Sequence, residues 1–186
     1  MTRYDPDLHH RRSIRLPGYD YRSAGVYYVT LCVWGKLCLL GEISEGEMML
    51  STLGCVVDEC WTAIPDHFPR VVLDEYVIMP NHMHGIIIIH DVATVGARHA
   101  VPLQHTHQNP PESFGKPNPG SLATIIRSFK SAAAKRINHI RQTPGARFWQ
   151  RNFYEHIIRD QERCDQIRSY ILSNPANWAK DDEYMP

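Results

Sequence analysis

No apolar stretch in the 186 residues runs beyond four, as at Ile86 to Ile89. A membrane-crossing helix needs roughly 18, so no span is read and no membrane partner is expected. No apolar segment follows Arg11 and Arg12 near the start, so no secretory leader is read and the cytoplasm is the expected location. No C-x-x-C pair occurs. The five cysteines (Cys32, Cys38, Cys55, Cys60 and Cys164) are odd in number, which points to free thiols in a reducing compartment rather than a disulfide frame or zinc knuckle. Net charge is lacking too, since 20 Lys and Arg balance 20 Asp and Glu.

What is present reads as a globular protein. An apolar fraction of 43% and a mean hydropathy of −0.37 argue against wholesale disorder. The length suits one domain, 1–186, with a sizeable core. The zero charge hides an asymmetry. Residues 121–168 hold ten Lys and Arg against four Asp and Glu, and the remainder carries the opposite surplus. A basic half suggests an anionic partner, although a solvated helical face has the same composition.

Along the chain, residues 1–24 form a polar arm with Arg11, Arg12, Arg15 and Arg22 beside Tyr19 and Tyr21. Val26 to Trp34 is β-branched and aromatic and predicts a strand. Leu37 to Leu50 predicts a hairpin turning at Ser44-Glu45-Gly46. Ser51 is placed to cap a helix to about His67, closed by Pro65 and Pro69, whose Leu53, Val56, Val57, Cys60, Trp61 and Ile64 follow helical spacing. Val71 to Met79 and His82 to His90 predict an antiparallel pair around Pro80-Asn81. Residues 92–119 hold five prolines and His99, His105 and His107, and predict a flexible insertion. Gly120-Ser121 opens a basic helix to about Arg141. Arg147 to Ile158 predicts a strand or extended segment, Asp160 to Asn174 a last helix, and the residues after Trp178 an acidic tail. The order is that of a ferredoxin-like α+β antiparallel sheet with two packed helices and an appended C-terminal helix.

Two features carry chemistry. In Pro80-Asn81-His82-Met83-His84-Gly85, residues two apart on a strand share a face. His82 and His84 therefore present paired imidazoles suited to a divalent metal; two ordinary histidines at a strand start give the same pattern. Gly85 permits close approach of a backbone or ligand. On the last helix Gln166, Tyr170 and Asn174 lie four apart and share one face, opposite Cys164, Ile167 and Ile171. A phenol and an amide oxygen then fall one turn apart, as they also do on a tyrosine packed against a sheet.

In combination these segments resemble a known family. The stretches RRSIRLPGYDYRSAGVYYVTLC, LDEYVIMPNHMHGIIII, SFKSAAAKRIN, FWQRNFYEHIIRDQE and YILSNP are similar to the HUH single-strand transposases with one catalytic tyrosine, nearest the REP-associated tyrosine transposases of bacteria. The resemblance spans most of the chain. It implies that His82, His84 and Asn174 bind Mg²⁺ or Mn²⁺, with Asn174 standing where many relatives outside this branch have glutamine. It implies that Tyr170 attacks phosphorus, leaving a 5′-phosphotyrosine and a free 3′-hydroxyl, on single-stranded DNA with hairpins. Tyr154 is the rival nucleophile, in an aromatic run where packing or base stacking is the alternative role. Arg11, Arg12, Arg15, Arg127, Lys130, Lys135, Arg136 and Arg159 are the candidate DNA contacts; His156 is left without a role. A homodimer and a monomer are both compatible with the sequence.

Three other readings stand beside this one. A non-catalytic nucleic-acid-binding module on a ferredoxin-like sheet explains the basic half but gives His82, His84, Tyr170 and Asn174 no reason. A histidine-triad nucleotide hydrolase needs a third alternating histidine, where this chain has Ile86. A domesticated relative keeps the nicking chemistry without mobility.

Overall fold

The computed structural model describes residue 16, residues 19–91 and 118–181, and residues 183–184. Arg11, Arg12 and Arg15, the three histidines of the 92–119 stretch and nearly all of that stretch lie outside the described residues.

The framework is a four-stranded antiparallel sheet in the order β4-β5-β1-β6. Its strands are β1 (Gly25–Cys32), β4 (Val71–Ile78), β5 (His82–Ile89) and β6 (Tyr154–Ile158). A separate hairpin joins β2 (Gly41–Ser44) to β3 (Glu47–Leu50). Its turn residues Glu45 and Gly46 have φ of 53° and 82°. Two successive positive φ values match the twist of paired strands, and glycine at the second position adopts one without strain.

Alternation along the strands sorts side chains to two faces. Tyr27, Val29 and Leu31 of β1 and Met83 and Ile87 of β5 enter the larger core, which also holds Trp61, Ile125, Phe129 and Ile137. That face is covered by α1 (Thr52–Thr62) and α3 (Leu122–Ile140). Val26, Ile86 and Ile158 point the other way and pack against Cys164, Ile167 and Ile171 of α4 (Gln161–Ser173). The strand period of two therefore sends His82 and His84, in step with Ile86, to the α4 face.

The helix boundaries have local causes. Ser51 Oγ accepts from the N–H groups of Leu53 and Gly54 at 3.2 and 3.1 Å and donates to the Leu39 carbonyl at 2.7 Å. Ser121 caps α3 and Asp160 caps α4 in the same way. The single helix expected to run to His67 is two. α1 stops at Thr62, and the four-residue α2 (Ile64–His67) follows with Pro65 in its first turn. Proline has no N–H to give, and its ring crowds the carbonyl four residues back, so it starts this short helix instead of closing the long one. Of the strand or extended segment expected over Arg147–Ile158, the strand proper is Tyr154–Ile158. Residues before it are extended and meet β1's end through one bridge, Val33 to Trp149.

After α4 the chain does not trail away. A 3-10 turn over Pro175–Lys180 folds it back so that Asp181 and Glu183 lie beside the start of β5. No helix among the described residues is long and apolar enough to cross a membrane.

Candidate metal centre and nucleophile

The centre forms where the β4–β5 turn meets the C-terminal end of α4. Asn81 sets the first histidine. Its amide nitrogen donates to the carbonyls of Lys36 and Glu183 at 3.2 and 2.9 Å, which turns its Oδ1 toward His82 Nδ1, 2.8 Å away. An N–H on Nδ1 donates there and leaves a lone pair on Nε2. His82 is fully buried. Burial, then the neighbouring His84, pushes its imidazole down to about 3 from an ordinary 6.5, so it is neutral and able to ligate.

His84 has its Nδ1 2.7 Å from the Tyr28 hydroxyl and 2.9 Å from Thr30 Oγ1, both on β1. Burial pushes the Tyr28 phenol up to about 12, so it stays an O–H and can donate or accept. The Nε2 atoms of His82 and His84 face each other at 2.9 Å. With the proton of His84 on Nδ1, directed at these oxygens, both Nε2 lone pairs converge on one point.

Asp181 completes the group. Its side chain is 1% exposed, with carboxylate oxygens 3.8 Å from His82 Nε2 and 3.7 Å from His84 Nε2. Burial alone raises a carboxyl. Here the nearby His84 imidazole and the hydrogen bonds from Asn174 and the Glu183 N–H outweigh it and hold Asp181 well below the carboxylate range. The ligand atoms of His82, His84 and Asp181 lie within 4.8 Å of one another. Asn174, at the end of α4, donates to Asp181 Oδ2 at 2.7 Å. Its own Oδ1 is buried without a hydrogen-bond partner, and an orphaned buried carbonyl oxygen beside a carboxylate and two imidazoles suits a cation. The two imidazole nitrogens and the carboxylate of His82, His84 and Asp181 fit a divalent metal.

Tyr170 stands over this group one turn before Asn174. Its hydroxyl donates to Asp181 Oδ2 at 2.9 Å and lies 3.3 Å from His84 Nε2. Burial, then the Asp181 hydrogen bond, raises its pKa far above the ordinary 10. The residue as a whole is 42% exposed and lines the open groove beside the histidines. Tyr154, at the edge strand, packs edge-on against Tyr28 with centroids 6.2 Å apart; no contact joins it to the histidine pair.

The basic candidates are differently placed. Arg127, Lys135 and Arg136 are exposed on α3, across the sheet from the histidines. Arg136 pairs with Glu59. Lys130 donates to the carbonyls of Gln150 and Asn152, and burial lowers its ammonium to about 8. Arg159 is exposed at the end of β6. Gly85 makes room for a ring and no ligand: a Cβ there would meet Trp61 Cζ2 at 2.4 Å.

Sequence reading missed four members of this centre. Tyr28 and Thr30 share the face of His84 by strand alternation, a signal present but unspecific. Asn81 passes for a turn residue. Asp181 stands in an acidic run, where nothing marks one carboxylate as buried.

No protein-family model matches the chain. An uncharacterized protein of Haemophilus influenzae is 43% identical over 187 residues, spanning 99% of this chain and 98% of that one. The two belong to one family. Among solved structures, a REP-associated tyrosine transposase bound to a REP hairpin aligns with a TM-score of 0.54 at 19% identity, covering 96% of this chain and 74% of the other. A putative transposase from Deinococcus radiodurans aligns at 0.44 and 14% identity, over 85% and 95% of the two chains. The first alignment makes the fold transposase-like, a mixed α/β structure on an antiparallel sheet.

Proposed function

We propose that the protein is a metal-dependent nicking and strand-transfer enzyme for single-stranded DNA carrying hairpins, working through a covalent link at Tyr170. The observation that carries this reading is the convergence of three elements: the Tyr170 hydroxyl is 2.9 Å from Asp181 and 3.3 Å from His84 Nε2, the two Nε2 atoms are 2.9 Å apart, and the Asp181 carboxylate lies 3.7–3.8 Å from both. The strand order fits a ferredoxin-like sheet, with α4 as the appended helix bearing the nucleophile. The hairpin bound to the solved transposase motivates the choice of DNA.

In this reading His82 Nε2, His84 Nε2, Asn174 Oδ1 and the Asp181 carboxylate would hold Mg²⁺ or Mn²⁺, which would supply positive charge to the phosphate oxygens. Asn81 and the Tyr28–Thr30 pair fix the two imidazoles so that their lone pairs stay aimed. The Tyr170 oxygen attacks phosphorus. Its O–H donates to Asp181, which orients the oxygen, and the proton leaves to solvent as the new bond forms. The bond from phosphorus to the 3′ oxygen breaks, the 3′-hydroxyl is freed, and the 5′ phosphate stays on tyrosine. Because the phosphodiester energy is kept in that ester, rejoining to a second 3′-hydroxyl needs no ATP.

The test is a denaturing gel with end-labelled single-stranded DNA from beside the gene, in Mn²⁺. Wild type should give a protein–DNA adduct that peptide mapping places at Tyr170. Tyr170→Phe should bind DNA and give none. An adduct that persists in Tyr170→Phe, or maps to Tyr154, overturns the assignment. Binding without any adduct favours the non-catalytic nucleic-acid module.

A further inference from the structure

Arg168 joins α4 to β4. Its guanidinium grips both oxygens of Asp74, which sits at the irregularity in the β4–β5 register. The helix is thereby drawn to the β4 side of the sheet, and a groove opens between α4 and the β1–β6 side. It measures about 700 Å³, within the ~300–1,000 Å³ of ligand clefts. Tyr170, His84 and Asp181 line one end.

The remaining walls have a mixed chemistry that the nicking centre does not use. Tyr154 lines the groove, is 51% exposed and stands at 70° to the Tyr28 ring. The amide side chains of Gln150, Asn152 and Gln166 rim it. The backbone that carries two of them is fixed, because Lys130 binds the carbonyls of residues 150 and 152 and the Gln150 N–H donates to the Cys32 carbonyl. Arg163 donates to Gln166 Oε1 at 3.0 Å, which joins a cation to an amide in one wall. His156 lies beside it, and burial and the charges of Arg163 and Arg159 keep that imidazole below its ordinary value. An aromatic face, carboxamides that can donate and accept, and a guanidinium make up the set that recognises a base and its phosphate. The carboxylates Asp181 and Glu183 stand at the opposite, histidine end, where the proposed cation offsets them.

Building on the nicking reading, we infer that this groove is a nucleotide pocket. It takes the deoxynucleotide flanking the cut phosphate, with its base stacked on Tyr154, its edge met by the carboxamides and its own phosphate at Arg163. Tyr154 is thus a base platform rather than a spare nucleophile. His156 shapes the floor of the pocket.

The test avoids cleavage. Full-length Tyr170→Phe protein is mixed with single-stranded DNA in which 5-iodouracil replaces thymine at successive positions, irradiated, and the crosslinked peptide mapped. The expected product is a crosslink at Tyr154 from positions next to the cut. Tyr154→Leu should weaken binding about five- to a hundredfold, the range for one stacked base, and Tyr154→Phe should restore it. Tyr154 is half exposed, so a thermal melt within 2–3 °C of the parent (roughly 1 kcal/mol) certifies the fold of each variant. If wild type forms the Tyr170 adduct but crosslinks avoid Tyr154 and Tyr154→Leu binds normally, the pocket is wrong and the nicking reading survives. If neither adduct nor crosslink forms on any single strand tried, both fail.

Discussion

Replacing Gly85 by alanine tests how the core positions the histidines. The new methyl would sit 2.4 Å from Trp61 Cζ2, 3.0 Å from Cη2 and 3.2 Å from Cε2, against an optimal carbon–carbon separation of about 3.5–4.0 Å. The ring has nowhere to retreat. Trp61 is fully buried, with Phe129 edge-on at 5.2 Å and Tyr76 at 6.1 Å. Overpacking of this kind destabilises by ~1–3 kcal/mol, set against ~0.5–1 kcal/mol gained by removing a glycine from a strand. A 2.4 Å contact against a buried ring calls for the upper half of the overpacking range, and the net loss of roughly 1–2.5 kcal/mol lowers Tm by about 2–10 °C for a chain of this size. The displacement also reaches the site, since Gly85 follows His84 and pairs with Val29 of β1 and Tyr76 of β4. Adduct formation should fall together with Tm. Differential scanning calorimetry and the adduct gel read the two effects. Trp61→Leu should be destabilising alone, and combined with Gly85→Ala it should cost less than the sum of the singles, because the indole is the obstacle. Full additivity, or a Gly85→Ala protein that melts and reacts like its parent, would refute the packing argument.

Two further outcomes follow from the centre. His82 has its folded pKa lowered to about 3 from 6.5, so the unfolded chain takes up the proton first. The stability from neutral His82 is present above pH 6.5 and is lost as pH falls toward 3, by up to about 4–5 kcal/mol; Asp181, also lowered, acts in the same direction below its ordinary range. Urea melts between pH 7 and pH 4 should show this slope, and His82→Gln should flatten it; an unchanged slope refutes the assignment. Mn²⁺ at a hundred times its dissociation constant should stabilise the fold by about 2.7 kcal/mol. Asn174→Ala should reduce that gain and His82→Ala should abolish it, and equal stabilisation of His82→Ala would place the metal elsewhere.

Long elements with a clear period were legible in the sequence: β1, β4, β5, α3 and α4 lie within a residue or two of where spacing and caps put them. The break at Ala63 was not, because the apolar positions Trp61 and Ile64 keep helical spacing across it while Pro65 alone decides the backbone. The pairing of His82 with His84 followed from strand alternation. Their partners did not: Asp181 is close only because a 3-10 turn reverses the chain after Asn174, and such a turn has no periodic signal. Lys130 read as one more cation on a basic helix, yet its amine is turned inward to two carbonyls. Charge counting cannot tell an inward amine from an outward one.

The sheet's two faces are unequally loaded. α1 and α3 are pinned by Trp61, Phe129, Phe148 and Trp149 with a large set of aliphatics, whereas α4 buries Cys164, Ile167 and Ile171 and adds the Arg168–Asp74 bridge. The smaller buried set under α4 predicts that its amides exchange at a lower opening free energy than those of the β1–β5 core, which native-state hydrogen exchange reads directly. Tyr170 and Asn174 ride on that helix, and Asp181 follows on the turn attached to it, while His82 and His84 stay on the sheet. If α4 exchanges first, the centre parts into two halves while the larger core remains folded; equal protection of α4 and β5 refutes this.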